Sequence, residues 1–383
     1  MNPILCAIFA LLPTIAVSNS SVIAQPVSAG KSEAVERLID QFQNISQEGV
    51  GFNSMATAGG FVAVESVPRF EGGILGTAAP TTPKALARVV ALGVKAMPSL
   101  LAHLNDRRPT KLTIRHDGGF GGMWLSTELD IQPYDRVPSR ELLGLKPVQT
   151  GIFANKTIKV YNLKVGDICF AAIGQIVNRS YSPVSYVPSA CIEINSSVQS
   201  REMCKAIRTE WRGLTVKDHQ RSLILDTEKG SGYMQADAGV RLLYYYPKIG
   251  KRYVLDVLKR SSSGTEDVNK TEQLIGALDW NHDPDIDNAV DSVLVHISKT
   301  LAKLAAQPLS DKNQNDAFEI ETCGISCISH LIDHAHTDHC RTFRDLSIRW
   351  LNRQPAGYAK EQYLASFKEI SRHLDMVKTH NHP

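Results

Sequence analysis

Apolar residues Val35, Leu38, Ile39, Phe42 and Ile45 recur at three- and four-residue intervals, the period of one face of an amphipathic helix. The spacing predicts a helix from Ser32 to Gln47, stopped by Gly49 and Gly51. From Phe52 to Pro83 no period survives: Gly59-Gly60, Gly72-Gly73 and Gly76 break any regular element, and the segment reads as a long irregular arm. PKALARVVALGVKAMPSLLAHL then gives two short helices, with a turn at Gly93 and Pro98 opening the second, a position where the missing N–H costs nothing. At Lys111 the texture changes to β-branched and aromatic residues mixed with Gly and Pro, which predicts strands in the segment 111–200. Inside it, Ile168 to Val177 reads equally as a strand or as a buried helix, because a continuous apolar run carries no period. Past Gln199 the helical period returns and persists to the end.

The helical parts resemble each other. Arg88-Val89-Val90 precedes Leu100-Leu101 and Leu104 much as Arg241-Leu242-Leu243 precedes Val254-Leu255 and Leu258. A third unit pairs Leu274, Ile275 and Leu278 with Val290, Val293, Leu294 and Ile297 across an Asp-rich turn. Short helix pairs that cannot bury their apolar faces alone are the units of α-solenoids, in which neighbours stack into one core. The stretch LGVKAMPSLLAHLNDRRP is similar to a HEAT-type repeat, and LTIRHDGGFGGMW, KVGDICFAAIGQIVNR and RLLYYYP resemble a family of uncharacterised exported bacterial proteins. That resemblance implies export and HEAT-like repeats, a surface suited to holding a partner, and no particular activity. The expected fold is mainly α, with HEAT-like, α-solenoid-like helix pairs flanking an irregular β-containing middle. Its expected divisions are a signal peptide over 1–24, an N-terminal helical segment over 25–110, the β-containing segment over 111–200 and a helical repeat region over 201–383.

Export is also readable from the residues. An apolar run from Ile4 to Val17, broken by Pro13, leads into small residues ending at Val22-Ile23-Ala24, the form of a cleaved secretory signal. No Lys or Arg precedes Ile4, so the positive start rests on the α-amino group; a membrane anchor is the alternative. The expected location is the periplasm or the cell exterior. Cys6 would leave with the signal, and Cys169, Cys191, Cys204, Cys323, Cys327 and Cys340 remain. An even number in an oxidising compartment allows disulfides, while buried thiols in a core of this size are the simpler reading. With 43% hydrophobic and 21% charged residues the chain can bury a core. Its net charge of +3, with both signs interspersed, makes no case for nucleic acid or a membrane surface as partner.

Candidate chemistry centres on CGISCISHLIDHAHTDHC. Cys323, Cys327, His330 and His334 form one stripe on a helix, and Cys323 and His334 lie about 16 Å apart along it, too far for one zinc ion with bonds of about 2.0–2.3 Å. Only neighbouring pairs such as His330 with His334 can chelate, so the stretch reads as a core helix and its C-terminal turn, with zinc on His330 and His334 as the alternative. DWNHDPDID places acidic residues at alternate positions, yet Pro284 and Val290 stand where a calcium loop needs Gly and Glu; it reads as a helix N-cap. His116, Asp117 and Trp124 beside the glycines of RHDGGFGGMW are the candidate pocket residues. Cys169 is a nucleophile only if a His approaches it, and its apolar setting raises a thiol pKa. Tyr244-Tyr245-Tyr246 reads as packing.

The expected function is therefore an exported binding or scaffolding protein. Its partner would be another protein or a cell-envelope component, not nucleic acid, and it would need no cofactor. The alternative is a metal- or cysteine-dependent hydrolase.

Overall fold

The computed structural model describes residues 29–46, 61–64, 83–115, 157–158, 160–179, 181, 183–187, 191–194, 196–230, 233–308, 310–332, 337–355 and 358–380. The expected signal peptide, most of the expected arm, and His116, Asp117, Trp124 and His334 lie outside the described residues. Within them the chain is mainly helical, with few strands.

Helix α1 (Ala29–Asp40) runs into a 3-10 turn over Gln41–Asn44, and Val35, Ile39, Phe42 and Ile45 all face the core. Helices α2 (Lys84–Ala91) and α3 (Met97–Ala102) are joined by a 3-10 turn over Gly93–Ala96. Gly93 has φ +56, and a Cβ there would approach the Tyr245 ring to 2.9 Å, so this turn needs glycine for its backbone and for its packing. The strands are β1 (Pro109–Arg115), β2 (Thr157–Ile158), β3 (Val160–Lys164), β4 (Val184–Val187) and β5 (Cys191–Ile194). β1 pairs antiparallel with β3, Arg115 opposite Val160, and the other three form an antiparallel sheet in the order β2-β5-β4. The strands fall where the β-branched texture predicts them, within 109–194.

The ambiguous apolar run is a helix, α4 (Val165–Val177), every residue of which is buried. A helix satisfies its interior N–H and C=O groups by itself, whereas a strand in the same place would need partner strands on its edges. α4 packs against α2 and α3 and follows β3 directly. It joins the N-terminal and middle segments into one core.

The remaining helices are α5 (Arg201–Trp211), α6 (Val216–Lys229), α7 (Tyr233–Tyr245), α8 (Pro247–Ser262), α9 (Val268–Gly276), α10 (Pro284–Ala305), α11 (Asp311–Leu331), α12 (Thr337–Arg353) and α13 (Tyr358–His380). Their starts are written in the sequence: Ser200, Thr215, Asp267, Asp283 and Ser310 each accept a hydrogen bond from a backbone N–H of the first turn. The Asp-rich turn is the N-terminus of α10, with Asp283 accepting from Asp285 N at 3.0 Å. α7 packs on α9 and α9 on α11, while α8 packs on α10 and α10 on α12. Consecutive helices α6 with α7, α7 with α8, and α10 with α11 are also neighbours. A large hydrophobic cluster runs from Val35 to Leu374, and a smaller one joins Leu223 of α6 to Ala238 and Leu242 of α7.

The tyrosine run is packing. Tyr244 meets Phe61 and Trp280 edge-on, Tyr245 donates its hydroxyl to Val90 O at 2.6 Å, and Tyr246 donates to Val216 O at 3.1 Å. The Tyr245 bond ties α7 to α2, and the Tyr246 bond ties its C-terminal end to the start of α6.

At the crossing of α7 and α8 backbones approach closely: a Cβ on Gly250 would lie 2.1 Å from Leu243 N and 2.2 Å from its Cα. Backbone cannot give way as a flexible side chain can. Gly250→Ala is expected to lower stability by about 1–3 kcal/mol, read as a fall in the urea midpoint. Gly276→Ala, whose Cβ would meet nothing nearer than Ser326 Oγ at 3.7 Å, should leave the midpoint unchanged or raise it.

Candidate functional site

The buried helix α4 organises most of the polar chemistry. Its first two N–H groups, from Val165 and Gly166, donate to Arg108 O and Asp106 O at 2.9 and 3.0 Å. Asp167, in the first turn, accepts from Lys164 N at 2.8 Å and from the Tyr161 hydroxyl at 2.9 Å. It also accepts from Ser196 Oγ. Asp167 is fully buried, and burial outweighs these donors to push its carboxyl up to about 6. Around Asp106 a second cluster forms: His103 Nδ1 meets Asp106 Oδ2 at 2.9 Å and its Nε2 meets Glu36 Oε2 at 2.7 Å. Arg108 links Asp106 to Asp40 at 2.7 and 2.6 Å. Both His103 nitrogens face carboxylates, so the imidazolium is the form that donates to both. Burial lowers its pKa, but the bonds to Asp106 and Glu36 prevail and raise it. Asp106, pushed up by burial, is held at about 2 by Arg108 and His103.

At the other end of α4 the last carbonyls are met by protein side chains. Arg241 Nε donates to Gln175 O at 2.6 Å and His219 Nε2 to Ile176 O at 2.8 Å. Arg179 Nη1 donates to Val177 O and Asn178 O at 3.1 and 2.7 Å and pairs with Asp226 at 2.7 Å, both partners fully buried. Asn178 stops the helix in the left-handed conformation, φ 59, a role asparagine tolerates better than most residues. Burial drives His219 down to about 4, so it is a neutral Nε2–H donor. Two buried guanidinium groups and one neutral imidazole thus cap the negative end of the helix dipole.

The residues singled out in the sequence fare differently. Cys169 is fully buried in α4, and burial pushes its thiol well up, the opposite of an activated nucleophile. The stretch Cys323 to Cys340 is not one helix with a turn: α11 ends at Leu331 and Cys340 lies in α12. Cys323, Cys327 and Cys340 are fully buried free thiols, each set within the core. His330 is fully buried and its Nε2 meets Asp287 at 3.0 Å; His334, its suggested zinc partner, lies outside the described residues. Among the described residues no three His, Cys, Asp or Glu side chains are arranged to hold a metal ion.

Several polar residues here were not singled out by the sequence pattern. Asp167 had a signal, since an acidic residue three positions past a strand end fits a capping box. Arg179, Arg241 and Glu321 had only their presence among apolar neighbours. Glu321, on α11, is 2% exposed, its Oε1 has no hydrogen-bond partner among the described residues, and burial pushes its carboxyl up to about 8.

Two surface features remain for recognition. On α8, Lys248, Arg252 and Lys259 are exposed and line, with Lys251, Leu255 and Asp256, a shallow groove of about 550 Å³; Asp256 is paired with Arg260. Positions 248, 252, 255 and 259 fall on one helix face, a stripe about 16 Å long. Lys251 is held by Asp283 and Asp285 at 2.8 and 2.6 Å; Lys248, Arg252 and Lys259 make no ion pair among the described residues. The second feature is an apolar cleft of about 310 Å³ between α3 and the C-terminal end of α5.

Two pH effects follow. The raised pKa of His103 contributes stability that is fully present below its ordinary value of 6.5 and is lost as pH rises through the raised value. His103→Gln is therefore expected to cost most in mildly acid buffer and progressively less above neutrality, measured by urea midpoints across pH. Glu321 acts in the same direction over a different window: the folded state keeps a proton that the unfolded chain releases above its ordinary 4.5, so stability falls as pH rises from there to about 8. Glu321→Gln, which cannot ionise, should flatten that slope, so that its urea midpoint relative to the parent rises between about pH 5 and pH 9.

Compared with models of protein families, with curated proteins and with solved structures, the chain has no match.

Proposed function

We propose that this protein is an exported binding or scaffolding module, built on HEAT-like helix pairs, that holds a partner polypeptide by an acidic segment of that partner. The observation that carries the reading is the face of α8: three exposed cations without ion-pair partners among the described residues, aligned with a half-buried leucine. Complementary charge across an interface sets partner choice and association rate, and arginine and lysine stems cover apolar surface while their heads stay in water. An acidic protein segment suits the stripe because it supplies carboxylates at discrete spacings together with an apolar side chain for Leu255.

The neighbour pattern supports the repeat part of the reading. Helices two apart in the chain stack, α7 on α9 on α11 and α8 on α10 on α12, as in solenoids, where each unit contacts chiefly its neighbours. Export rests on the apolar run Ile4 to Val17 and the small residues after it. The reading needs no cofactor. The hydrolase alternative draws on Cys169 and His330, and both are completely buried, one thiol pushed away from reactivity and one imidazole bonded to Asp287.

The test is capture of the full chain with its partners from its own cells, followed by reconstitution of each purified pair and titration calorimetry at two salt concentrations. A one-to-one complex that weakens at least tenfold in the Lys248→Glu, Arg252→Glu, Lys259→Glu variant, and is unchanged in Cys169→Ser, is the expected result. A complex indifferent to the triple reversal, or a hydrolytic activity lost in Cys169→Ser, would refute the reading.

A further inference from the structure

The cleft between α3 and α5 has a mainly apolar lining with two arginines in it. Met97, Pro98, Leu101 and Ala102 form one wall; Trp211, Gly213 and Leu214 form the other. Arg208 lies in it as a fixed wall, its guanidinium donating to Leu101 O, Ala102 O and Asn105 Oδ1 at 2.8, 2.9 and 2.7 Å. Trp211 is held as well, its indole N–H donating to the Tyr181 hydroxyl at 3.0 Å. The apolar surface is therefore preorganised, which lowers the cost of binding. Arg212 differs from its neighbours: it is exposed in the cleft lining, and its side chain makes no hydrogen bond or ion pair among the described residues. Beside it Gly213, at φ +76, would have nothing within 4 Å of an added Cβ, so the space over the mouth is open.

Size and charge together define the occupant. Pockets for drug-sized ligands span roughly 300–1,000 Å³, and this cleft stands at the lower limit, with room for an apolar side chain and its backbone. A free guanidinium at the mouth supplies a planar, bidentate partner for a carboxylate. We propose that the cleft takes an apolar anchor residue of a partner polypeptide with a carboxylate directly beside it. The anchor fills the space against Trp211, and the carboxylate pairs with Arg212. This rests on the binding reading above and adds a second, separate contact to it. Anchors seated in preformed pockets carry most of the energy in many interfaces.

The probes are N-acetyl-phenylalanine, its carboxamide and octanoate, titrated into the full chain while the Trp211 indole N–H resonance is followed by NMR, assigned by its loss in Trp211→Phe. The acid is expected to bind saturably at Trp211 and at least fivefold more tightly than the amide. In Arg212→Glu the acid should lose that advantage while the amide still binds. In Ala102→Trp, which fills the cleft from an exposed position, neither should bind, with thermal unfolding unchanged to show an intact fold. Absence of a saturable shift, equal affinities of acid and amide, or tighter binding of octanoate than of the amino acid would each overturn the proposal, the last in favour of a lipid. If the partner complex described above forms undiminished with Ala102→Trp yet fails with the α8 reversal, the cleft inference falls while the binding reading stands.

Discussion

A helix with no residue at the surface must find protein partners for the groups at both of its ends, and α4 imposes that demand on the rest of the molecule. Four N–H groups and four carbonyls have no partner within any α-helix, and in the interior an unmet one costs about 1–3 kcal/mol. The turn at Asp106–Arg108 and the side chain of Asp167 serve the N-terminal end. Arg241 from α7, His219 from α6 and Arg179 serve the C-terminal end. These donors come from residues up to 66 positions away in sequence. The helical array beyond residue 200 is thus docked onto the N-terminal half by hydrogen bonds that α4 requires, in addition to the apolar cluster they share.

The same demand accounts for charges in unfavourable places. A buried arginine–aspartate pair such as Arg179 with Asp226 gains little net stability by itself, because both ions lose their hydration. Here Arg179 also closes two helix carbonyls, so the guanidinium has enough acceptors to justify its burial. Arg241 is comparable, donating to Gln175 O and Asp237 O and lying over the Phe61 ring. Each cation is placed by acceptors, not by a single counter-ion. Exchange for lysine would leave a point charge without the planar fork that reaches several oxygens at once.

What could be read in the sequence followed from local rules. Helix periodicity, N-cap residues and the Gly93 turn depend on neighbours within a few positions, and they place α1, α2, α3 and α10 with ends shifted by a few residues. The β-branched texture locates the strands. It could not choose between strand and helix for Ile168 to Val177, since burial on every side erases the period that distinguishes them. The start of α12 was missed for a related reason: the His- and Asp-rich run between Ile332 and Cys340 carries no apolar period that would mark a new helix. His103, Arg241 and Glu321 were invisible because what sets them apart is the tertiary environment, which no local pattern encodes. His116, Asp117 and Trp124 lie outside the described residues, so the glycine-rich pocket reading takes no part in the argument about function.

A division of labour between interior and surface links the fold to the proposed role. Titratable groups that could do chemistry, among them Cys169, His219, Asp167 and His330, are withdrawn from solvent and engaged in packing or hydrogen bonding. A group in that position resists the motion and solvent access that turnover requires. Lys248, Arg252, Lys259 and Arg212 show the reverse: they are exposed, on helices or helix ends fixed from within by the α4 network and the α7–α8 crossing. Rigid support beneath unpaired charge is what recognition needs, because the ordering cost of the scaffold has already been met in folding. Binding then has to order only the tips of a few side chains, and a modest number of contacts can give a specific complex.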